Sequence, residues 1–210
     1  MPARRGLFLA LEGADGTGKS TQARAVAAAL RAAGHETLLT REPGGSPLGE
    51  AVRGLLLDPA HGPVDARTEA LLFAAARAAH VAATVRPALE AGAVVVTDRY
   101  VDSSVAYQGA GRGLGAQAVR DVNLWATDGL LPDLTILLDV DPAEGRTRRT
   151  SDAAPEDRME SEPDHFHASI RTAFLELART TPDRYLVLPS TADRDELHRS
   201  ILAALPRVTA

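Results

Sequence analysis

The 210-residue sequence contains no cysteine. Disulfide frameworks, thiolate zinc sites and cysteine nucleophiles are therefore excluded. Aromatic residues make up only 4% of the chain. No run approaches the roughly 20 apolar residues that cross a bilayer. The apolar stretch after Arg4 and Arg5 runs only from Leu7 to Leu11. A secretory signal core needs roughly 7–15 residues, so a cytoplasmic protein is expected, without membrane association. There is no excess of positive charge either: 23 basic residues face 28 acidic ones, for a net charge of −5. General nucleic-acid binding is not expected from that balance. The scarcest residue is lysine, with Lys19 alone among 22 arginines. A chain that uses arginine almost everywhere has kept one ammonium group, and that position calls for a chemical reason.

What is present is an ordinary globular composition, 45% hydrophobic and 24% charged. The length suits one α/β domain over residues 1–210 with a small mobile insertion. Apolar runs of strand length alternate with longer helical stretches. Strands are predicted at Gly6–Leu11, Glu36–Thr40, Val94–Thr97, Leu134–Val140 and Tyr185–Leu188. Helices are predicted over Lys19–Ala33, closed by Gly34, and over Pro47–Leu57, Ala116–Ala126, Pro142–Thr150, Asp164–Thr180 and Arg194–Leu205. A long helical tract from Asp65 to Ala91 contains Pro87, which should kink or break it. Such alternation implies a five-stranded parallel sheet covered on both faces. Ligands in such sheets sit beyond the carboxyl ends of the strands, so chemistry is expected just after Leu11, Thr40 and Thr97.

Directly after the first strand stands Gly13-Ala14-Asp15-Gly16-Thr17-Gly18-Lys19-Ser20. Its spacing is that of the phosphate-binding loop, glycine, four residues, then Gly-Lys-Ser/Thr. The glycines let the backbone curl so that several N–H groups face one anion, and the following helix adds its positive dipole end. Lys19 supplies a mobile point charge to the β- and γ-phosphates, and Ser20 offers a hydroxyl to Mg²⁺. The expected ATP-binding set is Gly13, Ala14, Asp15, Gly16, Thr17, Gly18, Lys19, Ser20 and Thr21. A guanine-specific Asn-Lys-x-Asp motif is impossible with the one lysine already used, and the transporter-ATPase Leu-Ser-Gly-Gly signature is absent.

After the third strand comes Thr97-Asp98-Arg99-Tyr100-Val101-Asp102-Ser103-Ser104-Val105-Ala106-Tyr107-Gln108. Here the sequence resembles the thymidylate kinases, the dTMP kinase family. Four collinear segments extend the resemblance over nearly the whole chain: Leu11–Gly16, Thr40–Gly45, Leu72–Arg77 and Asp157–Glu160. The resemblance implies a nucleoside-monophosphate kinase fold with a small mobile lid, a homodimer, ATP and Mg²⁺ as donor and cofactor, and dTMP as acceptor on the route to dTTP.

Several roles combine this resemblance with elementary chemistry. Asp98 and Arg99 end a strand that should neighbour the first, near the phosphates. An acid there can hold Mg²⁺ directly or through water, and an arginine can clamp a phosphate bidentately. The resemblance assigns Arg99 to the dTMP phosphate and Asp15 to the 3′-hydroxyl. Phe73 and Arg77, four apart, share one helix face. Phe73 can stack on a pyrimidine, and Arg77 can donate to thymine O4. Cytosine places an amino donor there, so it should be rejected strongly. The uracil ring lacks only a methyl, worth roughly 1–3 kcal/mol. Plain core packing for Phe73 and a solvated helix face for Arg77 are the alternatives. The resemblance also gives Ser104 to the base N3–H and Tyr107 to the 2′ position, a helix-capping serine and a core tyrosine being the alternatives, and Gln108 is expected as a further contact to the bound nucleotide. Arg41 and Gly44-Gly45 follow the second strand close to the acceptor. Arg53 aligns with a residue near the acceptor phosphate in bacterial members, a solvated arginine being the alternative.

The lid is expected at about residues 146–163. Some family members carry an arginine in the phosphate loop where this chain has Gly16. Members without it place the catalytic arginine in the lid. Arg146, Arg148, Arg149 and Arg158 are the candidates; Arg149 and Arg158 are favoured and unranked. The six histidines suggest no metal site, and His165 and His167 read as surface or cap residues. Two competing functions remain: another nucleotide or small-molecule kinase, and a non-catalytic nucleotide switch or scaffold. An acceptor panel and acceptor-dependent ADP release separate them from a dTMP kinase.

Overall fold

A computed structural model describes residues 5–141, 143–145, 147 and 157–205. The five strands are β1 (Phe8–Glu12), β2 (Thr37–Arg41), β3 (Val94–Asp98), β4 (Leu134–Asp139) and β5 (Tyr185–Pro189). They form one parallel sheet in the order β2-β3-β1-β4-β5. β1 lies between β3 and β4, with Leu11 beside Asp98 and Glu12 beside Leu137. This register brings the ends of β1 and β3 together, as the sequence predicts.

Both faces of the sheet are covered, which is why the central strands are almost wholly apolar. Successive side chains alternate sides. Leu9, Leu11, Val94, Val96, Ile136 and Leu138 pack against helix α1 (Lys19–Ala32) and a C-terminal helix. Phe8, Ala10 and Val95 face Val81, Val85, Leu89, Tyr100 and Val101 on the other side. Burying a side chain of this size contributes roughly 1.5–3 kcal/mol, so this double-sided core fixes the strand ends that carry the loops.

The helix boundaries follow local chemistry. α2 (Pro47–Leu57) starts where Ser46 Oγ accepts from the Gly49 N–H, with Pro47 preset for the first turn. α3 (Ala66–His80) is capped by Asp65, which accepts from Arg67 and Thr68. Pro87 does not end this tract. The chain passes through a wider π-helical turn at Val81–Val85 and continues as α4 (Arg86–Glu90). A widened turn relieves the clash that a proline ring causes in a regular α-helix.

A second irregular helix was not predicted. α5 (Val101–Ser104) runs into a π-helical stretch at Val105–Gly111. Its sequence, rich in small and polar residues, has no clear apolar period. Next come α6 (Ala116–Ala126), α7 (Asp164–Thr180) and α8 (Arg194–Ala204), each close to its predicted span. Of the helix expected over 142–150, residues 143–145 and 147 are described and helical. The rest of it, including Arg146, Arg148 and Arg149, lies outside the described residues, as does the lid between 150 and 156. Among the described residues no helix is long and apolar enough to cross a membrane.

Candidate active site

The loop between β1 and α1 forms one wall of a cavity of about 510 Å³. Gly13 adopts φ 136°, and a Cβ there would lie 2.4 Å from the Leu138 carbonyl oxygen. Only glycine lets the loop pass so close to β4. Gly18, at φ 84°, leads into α1, which has no side-chain cap and no acid in its first turn. Its first N–H groups therefore remain available to an anion. Lys19 Nζ folds back on the Ala14 carbonyl at 2.6 Å and is buried. Burial, with Arg99 nearby, lowers its pKa to about 8. Thr17 braces the curl through a 2.9 Å bond to the same carbonyl. Thr21 lines the cavity one residue after Ser20.

Ser20 and Asp98, the two expected Mg²⁺ ligands, meet directly: the Ser20 hydroxyl donates to Asp98 Oδ2. They come from α1 and from the end of β3, brought together by the β1–β3 register. No group of three or more metal-binding acids or histidines exists among the described residues.

Arg99 takes a left-handed backbone, φ 72°, unusual for a residue with a side chain. This turns its guanidinium back over the phosphate loop. Nη1 donates to the Gly13 carbonyl at 3.1 Å and to Ser103 Oγ at 3.0 Å. Nη2 donates to Asp15 Oδ1 and to the Tyr107 hydroxyl. Burial pushes the Asp15 carboxyl up, but Arg99 and Lys19 outweigh it and hold it well below the usual carboxylate range. Asp15 thus points away from the curl of the loop, towards Arg99 and Tyr107. Burial drives the Tyr107 hydroxyl well above its ordinary value, so it remains a donor.

Behind Arg99 stands Glu12, which belongs to the Leu11–Gly16 segment and reaches Arg99 through Ser103. It is fully buried. Its Oε1 accepts from the N–H groups of Tyr100 and Ser103, and Oε2 from Ser103 Oγ at 2.6 Å. Burial, then the charge of Asp102, pushes its pKa up to about 7.

On the far wall, Phe73 and Arg77 project from one face of α3, both lining the cavity. Phe73 is partly buried against the Val52–Leu56 cluster. The expected alternative of a solvated Arg77 does not hold, since Arg77 is only 2% exposed. It is held by Glu42, Ser104, Asn123 and the Tyr100 carbonyl. Glu42 also bonds His80 Nδ1 at 2.9 Å, and His80 Nε2 meets Thr40 Oγ1. One histidine corrects the surface expectation: His167 is buried on α7, and His80 is likewise wholly buried in this network. Neither belongs to a metal cluster among the described residues.

Arg53 is half-buried at the cavity edge and donates to the Pro43 carbonyl at 3.0 Å. Arg41 reaches the same carbonyl and pairs with Glu50. Gln108 borders the cavity, yet its amide donates to Glu69 at 3.0 Å. Glu69, fully buried, also takes Arg112 and Arg158. Arg158 is thereby kept from the phosphate loop: Nη1 meets Glu69 at 2.6 Å and Nε meets the Leu56 carbonyl. The other favoured lid arginine, Arg149, lies outside the described residues.

Glu12, Glu42, Glu69 and Asn123 are the site residues that sequence reasoning missed. A signal existed for two of them. Glu69 precedes Phe73 by four and Arg77 by eight, on the same face of α3. Asn123 follows Val119 by four, on the inward face of α6.

The profile of the thymidylate kinase family matches residues 11–201. The chain belongs to the thymidylate kinase family. Among similar members is a thymidylate kinase of Clavibacter michiganensis, 52% identical over 93% of this chain and 92% of its own. Another, from Deinococcus radiodurans, is 50% identical over 96% of this chain and 97% of its own. The crystal structure of a thymidylate kinase from Ehrlichia chaffeensis superposes with a TM-score of 0.76 at 31% identity, covering 95% of this chain and 97% of that one. The five-stranded parallel sheet with its phosphate loop is thus the nucleoside-monophosphate kinase fold of this family.

Proposed function

We propose that the protein is a dTMP kinase that transfers the γ-phosphoryl group of ATP to dTMP, giving ADP and dTDP for dTTP synthesis. The observation that carries this reading is that Phe73, Arg77 and Arg99 line one cavity together with the phosphate loop. The donor triphosphate lies in the loop, held by its N–H groups and Lys19. Arg99, with Arg53 at the rim, takes the acceptor phosphate. Asp15 receives the 3′-hydroxyl, and Tyr107 crowds the 2′ position. Phe73, Arg77, Ser104 and Gln108 frame the base.

Ser20 and Asp98 form a hydroxyl–carboxylate pair of the kind that holds Mg²⁺ together with phosphate oxygens and water. Bound there, the ion would neutralise charge on the β- and γ-phosphates. No covalent enzyme intermediate is required, because the side chains supply positioning and charge stabilisation for in-line transfer. An arginine of the lid, residues 146–163, would cover the transferring group. The engagement of Arg158 with Glu69 favours Arg149 for that task.

We take residues 1–210 as one domain of a cytoplasmic homodimer. Leu48 and Leu55 on α2, Leu71 on α3, and Val122 and Trp125 on α6 are exposed apolar side chains, and these three helices pack in series. Trp125→Glu should yield a monomer in light scattering. The function is tested by ADP release across dTMP, dUMP, CMP, AMP and GMP. A preference for AMP or CMP would overturn the base-pocket reading. Lys19→Ala should abolish turnover with the fold retained.

A further inference from the structure

We propose that Asn123, which does not line the cavity, is a positioning residue for base selection: it locks Arg77 so that thymine is told from cytosine by an arginine that cannot turn away. This rests on the reading that Arg77 faces the base.

A guanidinium carries five N–H donors in one plane. In Arg77, Nε donates to Glu42 Oε2 at 2.6 Å, and Nη1 donates to both Ser104 Oγ at 2.9 Å and Asn123 Oδ1. Nη2 donates to the Tyr100 carbonyl at 3.0 Å. These bonds occupy every N–H but one on Nη2, and Arg77 borders the cavity. Thymine O4 can accept from such a group. The amino group of cytosine cannot, and a clamped arginine has no second position in which to escape the mismatch. Strong discrimination arises where the protein's polar group is left unpaired by the wrong ligand, and this requires that the group be unable to re-pair elsewhere.

Four holders keep Arg77 in place, but three have other tasks or cannot be altered singly. Glu42 also anchors His80. Ser104 borders the cavity itself. The Tyr100 oxygen is backbone. Asn123 is different. It is wholly buried on α6, and its Nδ2 donates to the Val119 carbonyl one turn earlier at 2.8 Å. That bond settles the orientation of the amide and presents Oδ1, the acceptor, to Arg77. A buried amide at an inward helical position costs desolvation that a leucine would not. Its structural consequence is to fix the Nη1 end of Arg77.

The experiment compares Asn123→Leu, Asn123→Asp and Arg77→Leu with the unaltered protein, measuring kcat/KM for dTMP, dCMP and dUMP. Asn123→Leu removes the acceptor and should lower the dTMP-to-dCMP ratio by about tenfold or more, while the dTMP-to-dUMP ratio, which depends on the methyl group, moves by less than about threefold. Asn123→Asp keeps an acceptor opposite Nη1 and should retain the dTMP-to-dCMP ratio. A ratio lost in Arg77→Leu but kept in Asn123→Leu would overturn the inference alone. An equal loss in Asn123→Asp and Asn123→Leu would also overturn it. An unchanged ratio in Arg77→Leu would overturn the base-pocket reading and the inference with it. Should Asn123→Leu fail to fold, Asn123→Ala gives the same comparison.

Discussion

The Tyr107 hydroxyl donates a 2.8 Å hydrogen bond to Asp15 Oδ2, joining the irregular helix after β3 to the phosphate loop. Arg99 completes the triangle by donating to both groups. The sugar end of the cavity is thus built by two elements far apart in sequence. Tyr107→Phe keeps the edge-on packing against Phe166 and Phe174 and removes only the hydroxyl. It should lower the preference for dTMP over its ribonucleotide counterpart by about tenfold, within the range of one small contact. Ratios of kcat/KM for the two acceptors measure this.

Glu12 gives stability a defined pH dependence. Its pKa rises from 4.5 to about 7 in the folded protein, through burial and then the charge of Asp102. The folded state therefore retains a proton that the unfolded chain gives up at lower pH. The stabilisation is complete below the unfolded value and is lost as pH rises through about 7. Relative to Glu12→Gln, the unaltered protein should gain about 3 kcal/mol between pH 8 and pH 4.5. Urea unfolding at both pH values would show it. A pH-independent difference between the two proteins would contradict the assignment.

Lys19 should couple donor binding to a proton. Burial and Arg99 lower its pKa to about 8, and incoming phosphate charge restores it. Binding of Mg²⁺-loaded ATP, whose γ-phosphate is already ionised across this range, should take up about half a proton at pH 8 and almost none at about pH 6.5. Titration calorimetry in two buffers of different ionisation enthalpy detects the difference. Equal heats at pH 8 would speak against a depressed Lys19.

The lid arginines should separate by what they damage. Arg158 is tied to Glu69 and the Leu56 carbonyl, so Arg158→Ala should cost about 2 kcal/mol of stability, the scale of a hydrogen bond to a charged group. Its kcat should fall by less than about tenfold, whereas Arg149→Ala should lower kcat by about 10³ or more, as for other arginines on a transferring phosphoryl group. Denaturation curves and saturation kinetics on both variants test the division. A larger kcat loss in Arg158→Ala would reverse the assignment.

The parallel sheet, the phosphate loop and the shared helix face of Phe73 and Arg77 are legible along the chain. Each of these is written in a short-range signal: alternating apolar runs, a fixed glycine–lysine spacing, residues four apart on one turn. Capping residues such as Ser46 and Asp65 are equally local, which is why the helix starts agree to within a residue. What holds the functional side chains emerges from long-range packing alone. Glu12 and Ser103 are 91 residues apart, Arg77 and Asn123 are 46, and Glu69 and Arg158 are 89. A carboxylate or amide becomes an orienting partner only when packing removes it from water and places one particular donor within reach. That pairing depends on the strand order and on the two irregular helical turns, neither of which leaves a periodic trace along the chain.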